Sequence, residues 1–350
     1  MEDPSASLAS TSLGPPAINE NINDMYSQDW NLTIERQLSS SMGLSIAYVG
    51  MKATHLQLNQ NINQPVVTNG IYGSTRPFPT LPASSPILPS QCTAPHPLCS
   101  LGNINQVNSG GNSNYNALWA TINKHLSHGL ELLGSYTYSK SLDYNSLSTG
   151  ETYILQNAYN PRGDYGPSEF DVRHRFVLSG FYQLPFKASR LVSGWQVGWV
   201  TQAQTGNPLN PTLAINPGVS LTVRPDVTGP IQTTGNPAGW FSNKSVFVSP
   251  CAPALPPALP TCHPGNLSRD AVTGPNFINT DISVLKDTKL TEKVTVQFRT
   301  EMFDVFNHPN FGNPVLTTTN AVFGQVQSTR FPTGDFGSAR QIQFALKLLF

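Results

Sequence analysis

Apolar side chains recur at every second position of this chain, in segments joined by connections that are short and long in strict alternation. No other feature restricts the fold as much. Successive side chains of an extended strand point to opposite faces, so each period-two segment carries one apolar and one polar face. Such segments run over 30–38, 42–50, 115–126, 130–141, 172–184, 194–205, 277–286, 293–303 and 341–350. The connections are short at 39–41, 127–129, 185–193 and 287–292, and long at 51–114, 142–170, 206–276 and 307–338, with a short extra strand suggested at 321–326. The last segment is the clearest: Ile342, Phe344, Leu346, Leu348 and Phe350 alternate with Gln341, Gln343, Ala345, Lys347 and Leu349. In water such an edge strand invites aggregation. In lipid it is the strand that closes a barrel onto its first strand.

That segment alone fits the last strand of a soluble β-sandwich equally well. The alternation of loop lengths does not. Outer-membrane barrels place short turns on the periplasmic side and long loops outside, and span the hydrocarbon core with about ten tilted residues per strand. Trp30, Tyr48, Tyr115, Tyr138, Tyr182 and Phe350 fall toward strand ends, as an interfacial girdle requires. The expected fold is therefore all-β, an antiparallel transmembrane β-barrel in the cell outer membrane. Walking back from Phe350 at the periplasmic face places every short turn inside and every long loop outside, and makes Trp30 enter from outside. Complete barrels have an even strand number with both ends inside. Nine strands thus describe the C-terminal part of a larger barrel. Residues 1–29 read as a loop or the remnant of an upstream strand, without the basic start and apolar run of a signal peptide. Residues 30–350 form the barrel portion, with its long Pro-rich loops at 51–114 and 206–276.

The 350 residues carry no net charge, and only 11% are charged, against about 25% in an average domain. Neutrality excludes a nucleic-acid binder, which needs a basic face. No run of about 18 apolar residues exists to form a transmembrane helix. An enzyme needs a convergent set of groups, and none is visible. Glu292 and Glu301 lie roughly 30 Å apart along an extended strand, His125 and His128 have no third ligand nearby, and no cofactor is implied. Arg162-Gly163-Asp164 spells an adhesive tripeptide that arises readily by chance in a Gly/Pro-rich loop. Cys92 with Cys99, and Cys251 with Cys262, each share one long loop, which suits local disulfides in an oxidising compartment. Free thiols and a metal site remain the alternatives, although the spacings are not those of zinc motifs. Asp171, Arg173 and Arg175 alternate opposite Phe176 and Leu178, and Arg299 and Glu301 alternate likewise. These five are the candidate lumen-facing polar ladder, either lining the wall or touching a plug or ligand.

Several phrases resemble the Oar-like family of TonB-dependent outer-membrane receptors. They are Asp29-Trp-Asn-Leu-Thr-Ile-Glu-Arg-Gln-Leu38 with Ala47-Tyr-Val-Gly50, and Ser113-Asn-Tyr-Asn-Ala-Leu118. Further on come Ser135-Tyr-Thr-Tyr-Ser-Lys-Ser141, Asp171-Val-Arg-His-Arg-Phe176 with Leu184-Pro-Phe186, and Phe303-Asp-Val-Phe-Asn-His-Pro-Asn-Phe-Gly312. The resemblance implies a barrel that imports a bulky ligand, driven through TonB and gated by a plug. No plug, TonB box or regulatory β-sandwich is recognisable in these residues, so plug and TonB would be partners only if upstream sequence supplies them. The other implied partners are outer-membrane lipid, the barrel assembly machinery and an unidentified ligand. The alternative function is a non-transporting structural or adhesive barrel at the cell surface.

Overall fold

A computed structural model describes residues 14, 16–73, 75–81, 101–146, 155–187, 189, 192–214, 223–252, 261–330 and 339–350. Nine long strands form one antiparallel sheet, each paired with its neighbours in chain order. They are β1 (Tyr26–Ser39), β2 (Met42–Asn61), β3 (Asn105–Ser127), β4 (Leu130–Asp143), β5 (His174–Gln183), β6 (Trp195–Gln204), β7 (Phe277–Lys289), β8 (Thr295–Phe303) and β9 (Gln341–Leu349). Two short additions join the sheet: Ala17–Ile18 runs parallel to β3, and Gly166–Pro167 pairs with the end of β4. The β3–β4 turn is a two-residue hairpin in which His128 (φ 52°) and Gly129 (φ 80°) both adopt positive φ. Such turns match the right-handed twist of the flanking strands.

Residues paired across antiparallel strands lie on the same face, so the register assigns every side chain. Ile34, Ile46, Ala120, Tyr136, Phe176, Ala203 and Ile278 form one continuous row from β1 to β7. Nearer the short turns, Leu130, Tyr182, Val197, Val284, Thr300 and Phe344 form another from β4 to β9. On the opposite face the row Glu35, Ser45, Thr121, Ser135, Val177, Gln202 and Asn279 is mostly polar. The apolar face is the exposed one: Leu32, Ile34, Phe344 and Leu346 are each between 66% and 75% accessible. In water this would forfeit roughly 1.5–3 kcal/mol for each large side chain. At Gly50 an added Cβ would enter the Trp30 ring, so glycine there is what lets the indole lie flat on β2.

Among the described residues, both edges of the sheet are open. Every residue of β1 and of β9 is exposed, and among the described residues β9 pairs only with β8. Ile342, Phe344, Leu346 and Leu348 stand opposite Met302, Thr300, Phe298 and Val296, with the Phe298 and Phe344 rings stacked 6.4 Å apart, and Phe350 is 97% exposed.

Several strand limits differ from the sequence expectation: the first strand begins at Tyr26, inside the segment expected to precede it, and the strand expected to end at 286 runs to Lys289. The connection expected over 51–114 is shorter, because β2 continues to Asn61 and β3 begins at Asn105. Leu56 and Leu58 do alternate with Gln57 and Asn59, but register shifts between Thr54 and Leu58 break their phase with 42–50, and the partner segment 105–114 is mostly Asn, Ser and Gly. The strand expected over 172–184 starts at His174, because Asp171 folds back and its carboxylate accepts a hydrogen bond from the Ser141 N–H at 2.8 Å. No strand forms at 321–326; these residues turn, with a single bridge between Pro314 and Val326.

Candidate functional site

The long connections all emerge at one end of the sheet, and their described parts are knit together there. Arg269 is fully buried and ties two of them, those after β4 and β6. Its guanidinium donates to the Asp143 carboxylate at the end of β4, to Asp270 Oδ2 at 2.8 Å and to the Asp164 carbonyl at 2.9 Å. Arg224, also buried, donates to the Asp164 carboxylate and to the Leu267 carbonyl at 2.8 Å. Gln156 sits between them. Its N–H donates to Asp164 Oδ2 (2.9 Å), and its carbonyl accepts from Tyr72 Oη (2.8 Å) and from Gln64 Nε2 (3.1 Å) of the loop after β2. A small apolar core secures the other side: Leu209, Trp240, Phe241 and Val272 pack with Phe323 of the last loop, and the Phe241 and Phe323 rings stack 5.1 Å apart. Buried charges are tolerated here because each has a counter-charge and further hydrogen bonds.

A cavity of about 450 Å³ opens within this assembly. Its lining includes Glu169, Asp270 and Arg330 with Phe170, Asn207 and Asn210. Burial pushes the Asp270 carboxyl up to about 6, with Arg269 pulling the other way. Burial raises Glu169 too, again opposed by Arg269. Arg330 lies 5.2 Å over the Phe277 ring and donates to Asn207 Oδ1 at 3.2 Å, and burial lowers its pKa. Polar groups converging on a concave, partly aromatic surface are the usual form of a ligand site. Tyr72, between this network and the first loop, is raised by burial and by the Asp164 charge.

The five residues of the expected ladder fall into two groups. Arg173 stands 3.5 Å from Asp171, in the connection just above β5, and Arg175 pairs with Thr137 and Gln204 on the polar face. Arg299 and Glu301 form an ion pair with each other on the polar face of β8. The row of Arg299 passes through Leu285 and Gln196 to Gln183, at the far end of β5 from Arg175. That places the two groups roughly 30 Å apart, from about 3.3 Å per residue and about 4.8 Å per strand. They make no single constellation. Asp171 is only 5% exposed, and burial raises its carboxyl against the Ser141 hydrogen bond and the nearby Arg173 and Lys140.

Cys251 and Cys262 are joined by a disulfide that clips the loop after β6. Cys92 and Cys99 lie outside the described residues. The Arg162-Gly163-Asp164 tripeptide forms a tight turn whose Asp164 is 1% exposed and committed to Arg224 and Gln156, so it presents no carboxylate for adhesion. Sequence reading missed the Asp143, Asp164, Arg224, Arg269 and Asp270 network altogether. The available signal was charge scarcity: in a chain this poor in ions, an Arg-Asp dipeptide inside a Pro-rich loop marks a buried pair.

The family described as outer membrane beta barrel domain matches residues 2–343. No curated protein matches. Among solved structures, the outer membrane transporter YddB from Escherichia coli is 10% identical with a TM-score of 0.44, covering 97% of this chain and 34% of its own. The FrpB iron transporter from Neisseria meningitidis is 11% identical with a TM-score of 0.42, covering 96% and 33%. The pyoverdine receptor FpvA from Pseudomonas aeruginosa PAO1 is 11% identical with a TM-score of 0.42, covering 97% and 31%. The chain thus spans about a third of the length of each.

Proposed function

We propose that this chain, which belongs to the outer membrane beta barrel domain family, is the C-terminal barrel part of a TonB-dependent receptor that takes up a bulky ligand. It is an antiparallel outer-membrane barrel in which the exposed apolar face suits lipid and the polar face suits a lumen. The observation that carries the receptor reading is the pair of open edges, β1 and β9. Lipid offers no hydrogen bonds, so a spanning sheet has to be closed. Further strands on the β1 side would pair with both edges and enlarge the barrel enough to house a plug. The Oar-like phrases support the same reading, since they run in order from Asp29 to Gly312. In this arrangement the short turns face the periplasm and the loop assembly faces outward, with its cavity at the mouth. Arg175, Arg299 and Glu301 would line the wall. Plug, TonB and the barrel assembly machinery are the implied partners.

The Arg162-Gly163-Asp164 tripeptide lends the adhesive alternative no support, because Asp164 is buried. A planar-bilayer recording separates the transport reading from a self-closed pore. The protein purified from outer membranes is expected to show no steady conductance, and to gain one when the polypeptide ahead of this region is trimmed of its plug. Steady conductance from the 350 residues alone would overturn the proposal.

A further inference from the structure

The acids of the nine strands are segregated by face, whereas the bases are divided between both, with Arg175, Lys289, Arg299 and Lys347 on the polar face. All seven acids, Asp29, Glu35, Glu131, Asp143, Asp281, Asp287 and Glu301, lie on the polar face. The apolar face carries five bases and no acid: Arg36, Lys52, Lys124, Lys140 and Lys286. A lipid-facing carboxylate meets phosphate and is repelled, whereas a lysine buries its stem in the apolar layer and sends its ammonium to the headgroups. Three of the five bases lie toward the short turns. Two of these are already occupied: Lys124 Nζ donates to the Ser127 and Leu130 carbonyls at 3.1 and 3.2 Å, and Lys286 Nζ to the Ser193 carbonyl.

Lys52 and Lys140, at the loop end, differ. Both are exposed, and within the described residues neither makes a hydrogen bond or a close ion pair, although the charge of Lys140 is felt by the Asp171 carboxyl. They flank a polar patch where the apolar face stops. Lys140 stands opposite Asn116 in the row of Gly50 and Trp30, and Lys52 opposite Asn114 in the next row. Asn116 donates to Asn114 and accepts from Tyr48 Oη at 2.7 Å. Across two strand spacings and two residues, the lysine Cα atoms lie roughly 12 Å apart, within reach of one headgroup by their flexible stems.

We propose that Lys52, Lys140 and the Asn114–Asn116 pair between them form a binding site for a phosphorylated lipid of the outer leaflet. The ammonium groups take the phosphate and the amides take neighbouring headgroup hydroxyls. The site rests on the sidedness proposed above and is independent of any transported ligand.

Native mass spectrometry of the protein purified from outer membranes in neutral detergent tests it, with diphosphoryl lipid A as the probe and its dephosphorylated form as control. Wild type is expected to retain the phosphorylated probe and to release the control. Lys52→Gln with Lys140→Gln is expected to weaken retention about thirtyfold, since each lysine near an anionic lipid surface contributes about fivefold. The Lys→Arg pair should retain it, and heat-modifiable mobility on gels confirms that each variant is folded. Equal retention by wild type and the glutamine pair would overturn the site alone. Loss on Arg36→Gln but not in the glutamine pair would overturn it together with the sidedness.

Discussion

The sheet and the loop assembly hold together by opposite means. The sheet is ordered by a backbone ladder that runs from β1 to β9, and its apolar side chains point outward to the solvent that receives them. The loops have little regular structure. They are ordered by buried side chains, chiefly Arg269, Arg224, Gln156 and Asp164, and by the Trp240–Phe241–Phe323 cluster. In a membrane barrel the conventional hydrophobic core is displaced: the greasy surface faces out and the buried ions sit in the loops. Stability in the two regions therefore answers to different substitutions.

The largest contrast is expected at Arg269. Replacing it by Ala strands Asp143 and Asp270 without their shared cation, a loss of about 3–5 kcal/mol for a broken buried pair. Limited proteolysis should then open the loops after β4 and β6, while heat-modifiable mobility of the sheet persists. Concerted loss of both would mean that the two regions are one cooperative unit.

Next comes a matched pair on β2. Ile46→Arg places a charge on the lipid face, costing about 2–4 kcal/mol near the midplane, whereas Ser45→Arg on the polar face costs close to none. Denaturant titration in lipid vesicles reads the difference, and similar costs would contradict the face assignment.

A smaller effect is expected from pH. The Asp270 carboxyl is pushed up to about 6 in the folded loops, so between its ordinary value near 4 and about 6 the folded state binds more protons than the unfolded one. Loop stability therefore falls as pH rises through that window and is regained on acidification from 7 to 5, by about 1 kcal/mol. Hydrogen exchange of the loop amides checks this, and Asp270→Asn should reduce the dependence to what Glu169 and Asp171, raised in the same direction, contribute. Gly50→Ala is the mildest test. It displaces the Trp30 indole from β2 and is expected to cost about 1 kcal/mol, with a change in the environment of Trp30 seen by fluorescence.

The same division explains what the sequence could reveal. Alternation of Ile342, Phe344, Leu346 and Leu348 needs only the two-residue period of a strand, and the short–long rhythm of connections needs only the two-sidedness of a membrane. Nine strands and their order were legible from these. The continuation of β2 to Asn61 was not, since register shifts between Thr54 and Leu58 break the phase of its side chains and its partner, 105–111, is mostly Asn, Ser and Gly. Nor was the Arg269 network, whose members are separated by up to 126 positions and meet only after the loops fold. For the five residues of the ladder, period two assigns a face, but the height on the wall and the number of intervening strands come only from register. Arg175 and Arg299 share a face without being neighbours.

The measurement that bears most directly on the account joins the two edges. Cysteines placed singly along β1, at Leu32, Ile34 or Arg36, and along β9, at Phe344, Leu346 or Leu348, can be combined and oxidised in intact outer membranes. If other strands lie between these edges, no combination should form a disulfide within the chain, because the Cα atoms would exceed the roughly 7 Å limit for bridging. A high-yield bridge in one register, fading in the others, would mean that β1 and β9 pair directly, and would contradict the reading of this sheet as part of a larger barrel.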